Sequence, residues 1–475
     1  MSGGSEKIDR GTWLALVAMG LGVFVIANDF TALSVAVPQI EQDLHTSLTS
    51  AQWVINGYAL VFGVLIVPGG RLADLYGRKR LFMIGAAIFA VFSLVSGLMP
   101  TVELLIAGRA LMGVGGALMW PAILGMTYGL LPEEKAGLAG GLILGVAGLG
   151  NAVGPLLGGF LTDEFSWRWV FFINLPVTAF AMIVTQRQVR ESRAETAERR
   201  IDYRGIAVLA LGLLAVLVAL DEGPDVGFGS TAIVVLFAAA ALLLGSFVVI
   251  ERRQGAAALV PSDVLRNPVF AAACASVLLM SAIFFSALLY LPQFFEKVLG
   301  YSAVDAGAGL LPMMGVFAVT SFVAGSLYNR LGGRVVVASG AITLAVGMLV
   351  LSFLDADSTY ISLVPGMVIL GVGIGLFYSS ITTVGVTALD PSRSSLAGGI
   401  IYMCQIAGGA VGLGLNTAIV ASQATLSEGI STAFRVDAAL AVIGFFVALR
   451  YVRGASIAAP PPLTASHRHR HRAHA

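Results

Sequence analysis

The chain has 475 residues, of which 57% are hydrophobic and 12% charged, and its formal net charge is +1. A soluble domain is about a quarter charged, so this composition excludes a water-soluble fold, and a near-neutral balance offers no basic face for nucleic acid. The two cysteines, Cys274 and Cys404, each lie in an apolar run without a CxxC pair or a neighbouring His, which indicates neither a disulfide nor a metal site.

Apolar stretches near the ~20 residues needed to cross ~30 Å of hydrocarbon recur along the whole chain. Fourteen spans are predicted, at 13–37, 53–69, 81–99, 102–127, 138–161, 170–185, 206–220, 231–250, 270–291, 307–327, 335–353, 360–384, 397–418 and 433–451. The first is too long for a signal-peptide core and has no small-residue cleavage pattern behind it, so it is expected to be retained. An even number of spans puts both termini on one side. If that side is the cytoplasm, the positive-inside rule is met. Of the 28 basic residues, only Arg168, Lys297 and Arg435 fall on the opposite side, and Arg109 lies inside a span.

Span one carries Asp29, read as the only one of the 27 acids well inside a span. It sits ~24 Å above the start of its helix, and Arg109 in span four sits ~10 Å below the start of a helix running the other way. The two therefore fall within a few ångströms of one level. A buried arginine needs a partner, because inserting it costs about 2.5–3.5 kcal/mol, and Asp29 is the expected one. A carboxylate balanced between desolvation and a neighbouring cation is suited to exchanging a proton. The alternative is a static ion pair.

Between spans two and three stands GRLADLYGRKR, residues 70–80. Gly70 and Gly77 permit tight backbone geometry, and Asp74 and Arg78 are placed to pair across the turn and meet a helix end of the other half. Such a contact forms in one conformation and breaks in another; the alternative is a topology anchor alone. In span five, LGNAVGPLLGG (149–159) spaces Gly150, Gly154 and Gly158 by four, a ridge without side chains for close helix approach, with Pro155 removing one backbone bond and Gly159 following. Ordinary small-residue packing is the competing reading. FSWRWVFFINLP (165–176) places Trp167 and Trp169 as membrane-interface anchors beside Arg168. The Arg-rich run 187–204 reads as a solvated linker. The tail HRHRHRAHA reads as disordered and basic, near anionic lipid, in preference to a metal site.

An internal repeat organises these parts. LAGGLILGVAGLGNAVGPLLGG from Leu138 aligns with LAGGIIYMCQIAGGAVGLGLNT from Leu396 at a shift of 258, and Gly108, Gly113 and Gly115 fall on Gly366, Gly371 and Gly373 under the same shift. A faint copy of the loop, GSLYNRLGGR from Gly325, is shifted by 255 and has Asn329 in place of Asp74. Arg109 maps to Met367, Pro155 to Leu413 and, by a local shift of 254, Asp29 to Ile283, so the second half reads as electrically silent. The expected units are an N-terminal six-helix bundle (1–186), a linker with two inserted spans (187–268), a C-terminal six-helix bundle (269–453) and a tail (454–475).

On these motifs the chain resembles the major facilitator superfamily, in its 14-span drug:proton antiporter branch. Residues 70–80 match the loop motif GxLADxxGRKR. LLIAGRALMGVGG matches a motif whose arginine takes part in proton coupling, and 149–159 match the antiporter motif GxxxGPxxGG. NDFTALSVAVPQI resembles the first-span motif, with Ser34 where an Asn is common. The resemblance implies an all-α membrane protein of two pseudo-symmetric bundles plus two inserted helices. It further implies a proton-coupled efflux transporter that exports amphipathic drugs or toxic compounds by alternating access about a midplane site.

On that reading Asp29 and Arg109 couple protons, and Gly70, Asp74, Gly77 and Arg78 form a conformational gate. Tyr58, Phe62, Phe285, Tyr290, Phe377, Tyr378 and Tyr402 are candidates for a substrate cavity. The expected partners are lipids, a small amphipathic substrate and protons. The chain is expected to be a monomer in a bacterial inner membrane, driven by the proton motive force without cofactor or metal. None of the four lysines precedes Ser or Thr, so there is no GxxxxGK[ST] loop, and HExxH and GxSxG are absent; an enzyme is not expected. Export of an endogenous metabolite or lipid is the alternative within the fold, and a non-transporting membrane sensor the alternative outside it.

Overall fold

The computed structural model describes residues 9–193, 202–254 and 258–452, and among them every regular element is helical. The tail 454–475 and the middle of the Arg-rich run lie outside the described residues. Fourteen long helices follow in order: α1 (Arg10–Asp43), α2 (Leu48–Tyr76), α3 (Arg78–Gly97), α4 (Val102–Leu130), α5 (Ala136–Glu164), α6 (Trp169–Gln188) and α7 (Tyr203–Val226), then α8 (Thr231–Gln254), α9 (Pro268–Lys297), α10 (Val304–Leu331), α11 (Gly333–Leu351), α12 (Tyr360–Thr387), α13 (Ser394–Ala421) and α14 (Leu426–Tyr451). Thirteen are long and apolar enough to cross a membrane, and α7 carries a shorter apolar stretch, Tyr203–Ala219.

Each helix is written by an apolar run, but most extend past it, because side-chain caps allow the first turn to sit in polar sequence. Asp9 caps α1 by accepting from the Thr12 N–H at 2.9 Å, and Thr425 caps α14 by accepting from Glu428 at 3.3 Å. That cap starts α14 at Leu426, two turns before the predicted start at 433. The extension puts both Arg435 and Asp437 well inside the helix.

In the first bundle α4 packs on α2 and α3, α5 on α1, and α6 on α1 and α3. In the second, α12 packs on α10 and α11, α13 on α9, and α14 on α9 and α11. The halves meet mainly through α2 against α13 and α5 against α10. Under the internal repeat α2 corresponds to α10 and α5 to α13, so the two contacts are one contact made twice. The inserted helices α7 and α8 pair with each other, and α7 lies along the seam of α2 and α13. There Leu217 and Ile406 both approach Gly63. Large apolar side chains such as Val91, Leu98, Phe160, Leu242 and Phe353 are exposed, as a surface facing hydrocarbon requires.

One expected anchor is placed differently. Trp169 is 48% exposed, whereas Trp167 is only 2% exposed. Its Nε1 donates to Asp43 at 3.0 Å and its ring meets Phe171 edge-on. Arg168 pairs with the same carboxylate at 2.5 Å and lies over the Trp167 ring at 4.2 Å. A second partner for the indole N–H inside the protein outcompetes the membrane interface.

Candidate functional site

A fully buried polar centre lies in the first bundle. Asp29 on α1 and Arg109 on α4 are both fully buried, and Arg109 Nη1 meets Asp29 Oδ2 at 2.5 Å. Sequence places them at one depth, and the helices bring them into contact. Arg109 Nε donates to the Val54 carbonyl at 2.9 Å, and the guanidinium stands over the Tyr58 ring at 4.4 Å. Asn174 on α6 donates to Asp29 Oδ1 at 3.3 Å and to Ser93 Oγ at 3.2 Å, and Ser93 in turn donates to the Phe171 carbonyl.

The network is incomplete. Arg109 Nη2, the Tyr58 hydroxyl and Asn28 Oδ1 are buried without a hydrogen-bond partner. A site with spare donors and acceptors has room to rearrange its bonds when its charge changes. Asn174 and Ser93 escaped the sequence reading; Asn174 stands in 165–176, a run read only for its tryptophan anchors, where a lone amide among aromatics is the signal.

The glycine ridge of α5 supports this centre from behind. A side chain at Gly154 would strike Thr31 and one at Gly158 the backbone of Ala32, both on the α1 turn that follows Asp29. Small residues here let the two backbones touch and fix the carboxylate's position. Gly150 faces Ala27 and Asn28 in the same way, while Gly159 faces Val35 and Val304 and Pro155 faces Gly307.

The charged loop sits at the end of α2, at the seam of the halves. Arg78 Nε and Nη2 donate to Asp74 Oδ1 at 3.0 and 2.9 Å. Asp74 then accepts from the N–H groups of Ser395 at 3.3 Å and Leu396 at 2.8 Å, in the first turn of α13, where the helix dipole favours an anion. Arg78 Nη2 also donates to the Pro391 carbonyl at 2.6 Å. Gly70 lies against the Ser395 carbonyl, and Gly77 adopts φ 115°, a left-handed turn that favours glycine. The four residues thus form one clamp between α2, α3 and α13.

The linker contributes more than solvation. Glu191 accepts from the N–H groups of Lys79 and Arg80, each at 3.0 Å, and so caps α3 from a distance of over a hundred residues in sequence.

The candidate cavity aromatics fall into separate clusters. Tyr58 stacks on Phe62 at 5.8 Å, Phe62 meets Tyr402 at 5.5 Å, and Tyr402 meets Trp120 at 4.5 Å. This ladder runs from the Arg109 guanidinium across the seam to α13; Phe30 and Trp120 belong to it and were not foreseen. Phe285, Phe377 and Tyr378 gather around Phe284 and Phe317 in the second bundle. Tyr290 stands apart, its hydroxyl 2.8 Å from Thr417 Oγ1.

The second half is not electrically silent. Asp437 on α14 is fully buried and accepts from Asn416 Nδ2 at 3.1 Å on each carboxylate oxygen. Asp29 is therefore not the only acid deep in a helix. The expectation failed because the predicted start of the last span lay only four residues before Asp437.

Residues 19–413 and 316–472 match the profile of the Major Facilitator Superfamily. The chain is 33% identical to multidrug resistance protein Stp of Mycobacterium tuberculosis (strain CDC 1551 / Oshkosh), over 87% of this chain and 77% of that protein. It is 32% identical to the tetracenomycin C resistance and export protein of Streptomyces glaucescens, over 86% and 76%, and 32% identical to puromycin resistance protein pur8 of Streptomyces alboniger, over 94% and 89%. The human organic anion transporter MFSD10 (TETRAN) has the same fold, with a TM-score of 0.64 over 93% of this chain and all of that one at 14% identity. With its repeated six-helix bundles and these relatives, the chain belongs to the Major Facilitator Superfamily.

Proposed function

We propose that this protein exports amphipathic compounds across a bacterial cell membrane in exchange for protons, by alternating access. The observation that carries the proposal is the fully buried Asp29–Arg109 pair with its unpartnered polar neighbours. Protonating Asp29 would release Arg109 from the only charged partner it has among the described residues, and the spare acceptors nearby give the guanidinium somewhere to turn. The charged loop is the gate: Asp74 and Arg78 hold α13 while that face is closed and let go when the halves rock. By the distribution of basic residues this face, with both termini, is cytoplasmic. An inward proton then gains ~2.3 kcal/mol per 100 mV of membrane potential.

Relatives named for resistance to several drugs or antibiotics support efflux. Others are named as a tetracenomycin C resistance and export protein and a probable actinorhodin transporter, which supports outward transport of such compounds here. Everted membrane vesicles energised with a proton gradient test the coupling. Wild-type vesicles should accumulate a lipophilic cationic dye, a protonophore should abolish the uptake, and Asp29→Asn should remove it at unchanged protein abundance. Proton-driven uptake surviving in Asp29→Asn would overturn the role given to Asp29.

A further inference from the structure

The carboxyl of Asp437 has no task in the mechanism above, yet it is as deeply buried as Asp29. Its surroundings differ in one respect. Asp29 has Arg109; Asp437 has no cation in contact among the described residues. From α13 it meets Asn416, and from α9 Ser286 and Tyr290 are its polar neighbours. Along α11 the one charged residue is Arg334, in the first turn. On its own helix Arg435 is exposed. Among the described residues the Asn416 carbonyl is buried without a hydrogen-bond partner, and the Ser286 hydroxyl stands beside the carboxyl.

An ionised carboxylate without a counter-ion in a membrane interior is strongly unfavourable, and such a group neutralises itself by holding a proton. A protonated Asp437 has an O–H to donate, and the Ser286 oxygen beside it can accept from such a donor. We infer that Asp437 is a second proton-binding site, located in the C-terminal half and held as the neutral acid in this conformation.

The fold also links this site to the gate. Asn416, its hydrogen-bond partner, lies on α13, whose first turn is gripped by Asp74. Leu396 and Asn416 are ~30 Å apart along that helix at 1.5 Å per residue. When α13 shifts, the Asn416 amide moves relative to Asp437, and the carboxyl passes its proton to water in the conformation that exposes it. The carboxylate left behind is then solvated. This transport role rests on the proton-driven reading above; the occupancy of the site does not.

Two measurements on the full-length protein test the inference. In lipid nanodiscs at neutral pH, the infrared carbonyl stretch of a protonated carboxyl should be present in wild type, lost in Asp437→Asn, and restored at a shifted frequency in Asp437→Glu. In proteoliposomes exporting ethidium, Asp437→Asn should move one proton fewer per dye than wild type, and Asp437→Glu should recover the ratio. The inference is overturned if Asp437→Asn leaves the infrared band intact, and its transport role is overturned if Asp437→Asn leaves the proton-to-dye ratio unchanged. Asp29→Asn is the control that separates the two proposals: if it abolishes proton-driven export while Asp437→Asn changes nothing, only the second site falls.

Discussion

Asn329 accepts a hydrogen bond from the backbone N–H of Gly137 at 3.3 Å, and this contact is the mirror of the one Asp74 makes with Ser395. Under the internal repeat Asn329 corresponds to Asp74 and Gly137 to Ser395, so one device exists in a neutral and a charged version. Both loops end in a glycine with positive φ, 115° at Gly77 and 83° at Gly332. Arg78 has no counterpart, because Gly333 takes its place. A hydrogen bond to a charged acceptor contributes about 1.5–3 kcal/mol against about 0.5–1.5 for a neutral one. The two seams between the halves are therefore unequal in this hydrogen bond, which is the stronger of the two where the acceptor is charged.

Asp74→Asn should bring the charged seam closer to the neutral one, with Arg78 as the remaining difference. Losing the charge is expected to weaken the clamp by about 1–2 kcal/mol, which shifts the balance between closed and open forms of that face about tenfold. Spin labels at the end of α2 and the start of α13 would report a larger fraction of long distances by double electron–electron resonance. An unchanged distance distribution would show that the clamp does not set the equilibrium. Asn329→Asp should act in the opposite sense on the α5–α10 seam.

The Asp29–Arg109 pair should couple stability and function in a way that single substitutions separate from double ones. Asp29→Leu leaves Arg109 buried without a counter-ion and is expected to cost about 3–5 kcal/mol, while Asp29→Leu with Arg109→Met removes both charges and should recover most of that loss. Neither variant should drive dye uptake. Thermal unfolding in detergent distinguishes them: a double variant no more stable than Asp29→Leu would mean that the pair is not an isolated buried charge pair.

The spans and the first-bundle centre were legible because both follow from rules that act along one helix. Hydrocarbon thickness fixes span length, and 1.5 Å per residue fixes depth, so Asp29 and Arg109 met where arithmetic put them. Asp437 was missed because a cap at Thr425 lengthens α14, and apolar content alone does not see a helix that begins in polar sequence. Trp167 and Asn174 were misjudged for a different reason. Their partners, Asp43 and Asp29, lie over a hundred residues away, and no local pattern announces a hydrogen bond that only packing creates. The repeat gave the two related halves, but neither the seams between them nor the partner that α7 finds against α2 and α13.

Glu191 offers a test of a contact that composition assigns to solvent. Its carboxylate satisfies two N–H groups at the start of α3, where the helix itself provides no cap. Glu191→Ala should cost about 0.5–2 kcal/mol, the usual effect of losing a helix cap, and Glu191→Asp less. Hydrogen exchange should rise at Lys79 and Arg80 and stay unchanged at Leu396; a rise at neither Lys79 nor Arg80 would remove the capping role.

The glycines of α5 and α8 should respond oppositely to the same substitution. At Gly158 a methyl group would run into the Ala32 backbone, which cannot step aside as a side-chain tip can. Gly158→Ala is therefore expected to push α1 away from α5 and to cost about 1–3 kcal/mol. It should also lower export, because the displaced turn of α1 carries Asp29. At Gly245 on α8 nothing lies within 4 Å of the new methyl group, so Gly245→Ala should leave export intact and gain up to about 1 kcal/mol from the helix's own preference for alanine. Melting temperatures in detergent, read beside dye uptake in vesicles, compare the two. Equal effects would mean that glycine content as such, and not the α1–α5 contact, governs how this bundle holds its buried carboxylate.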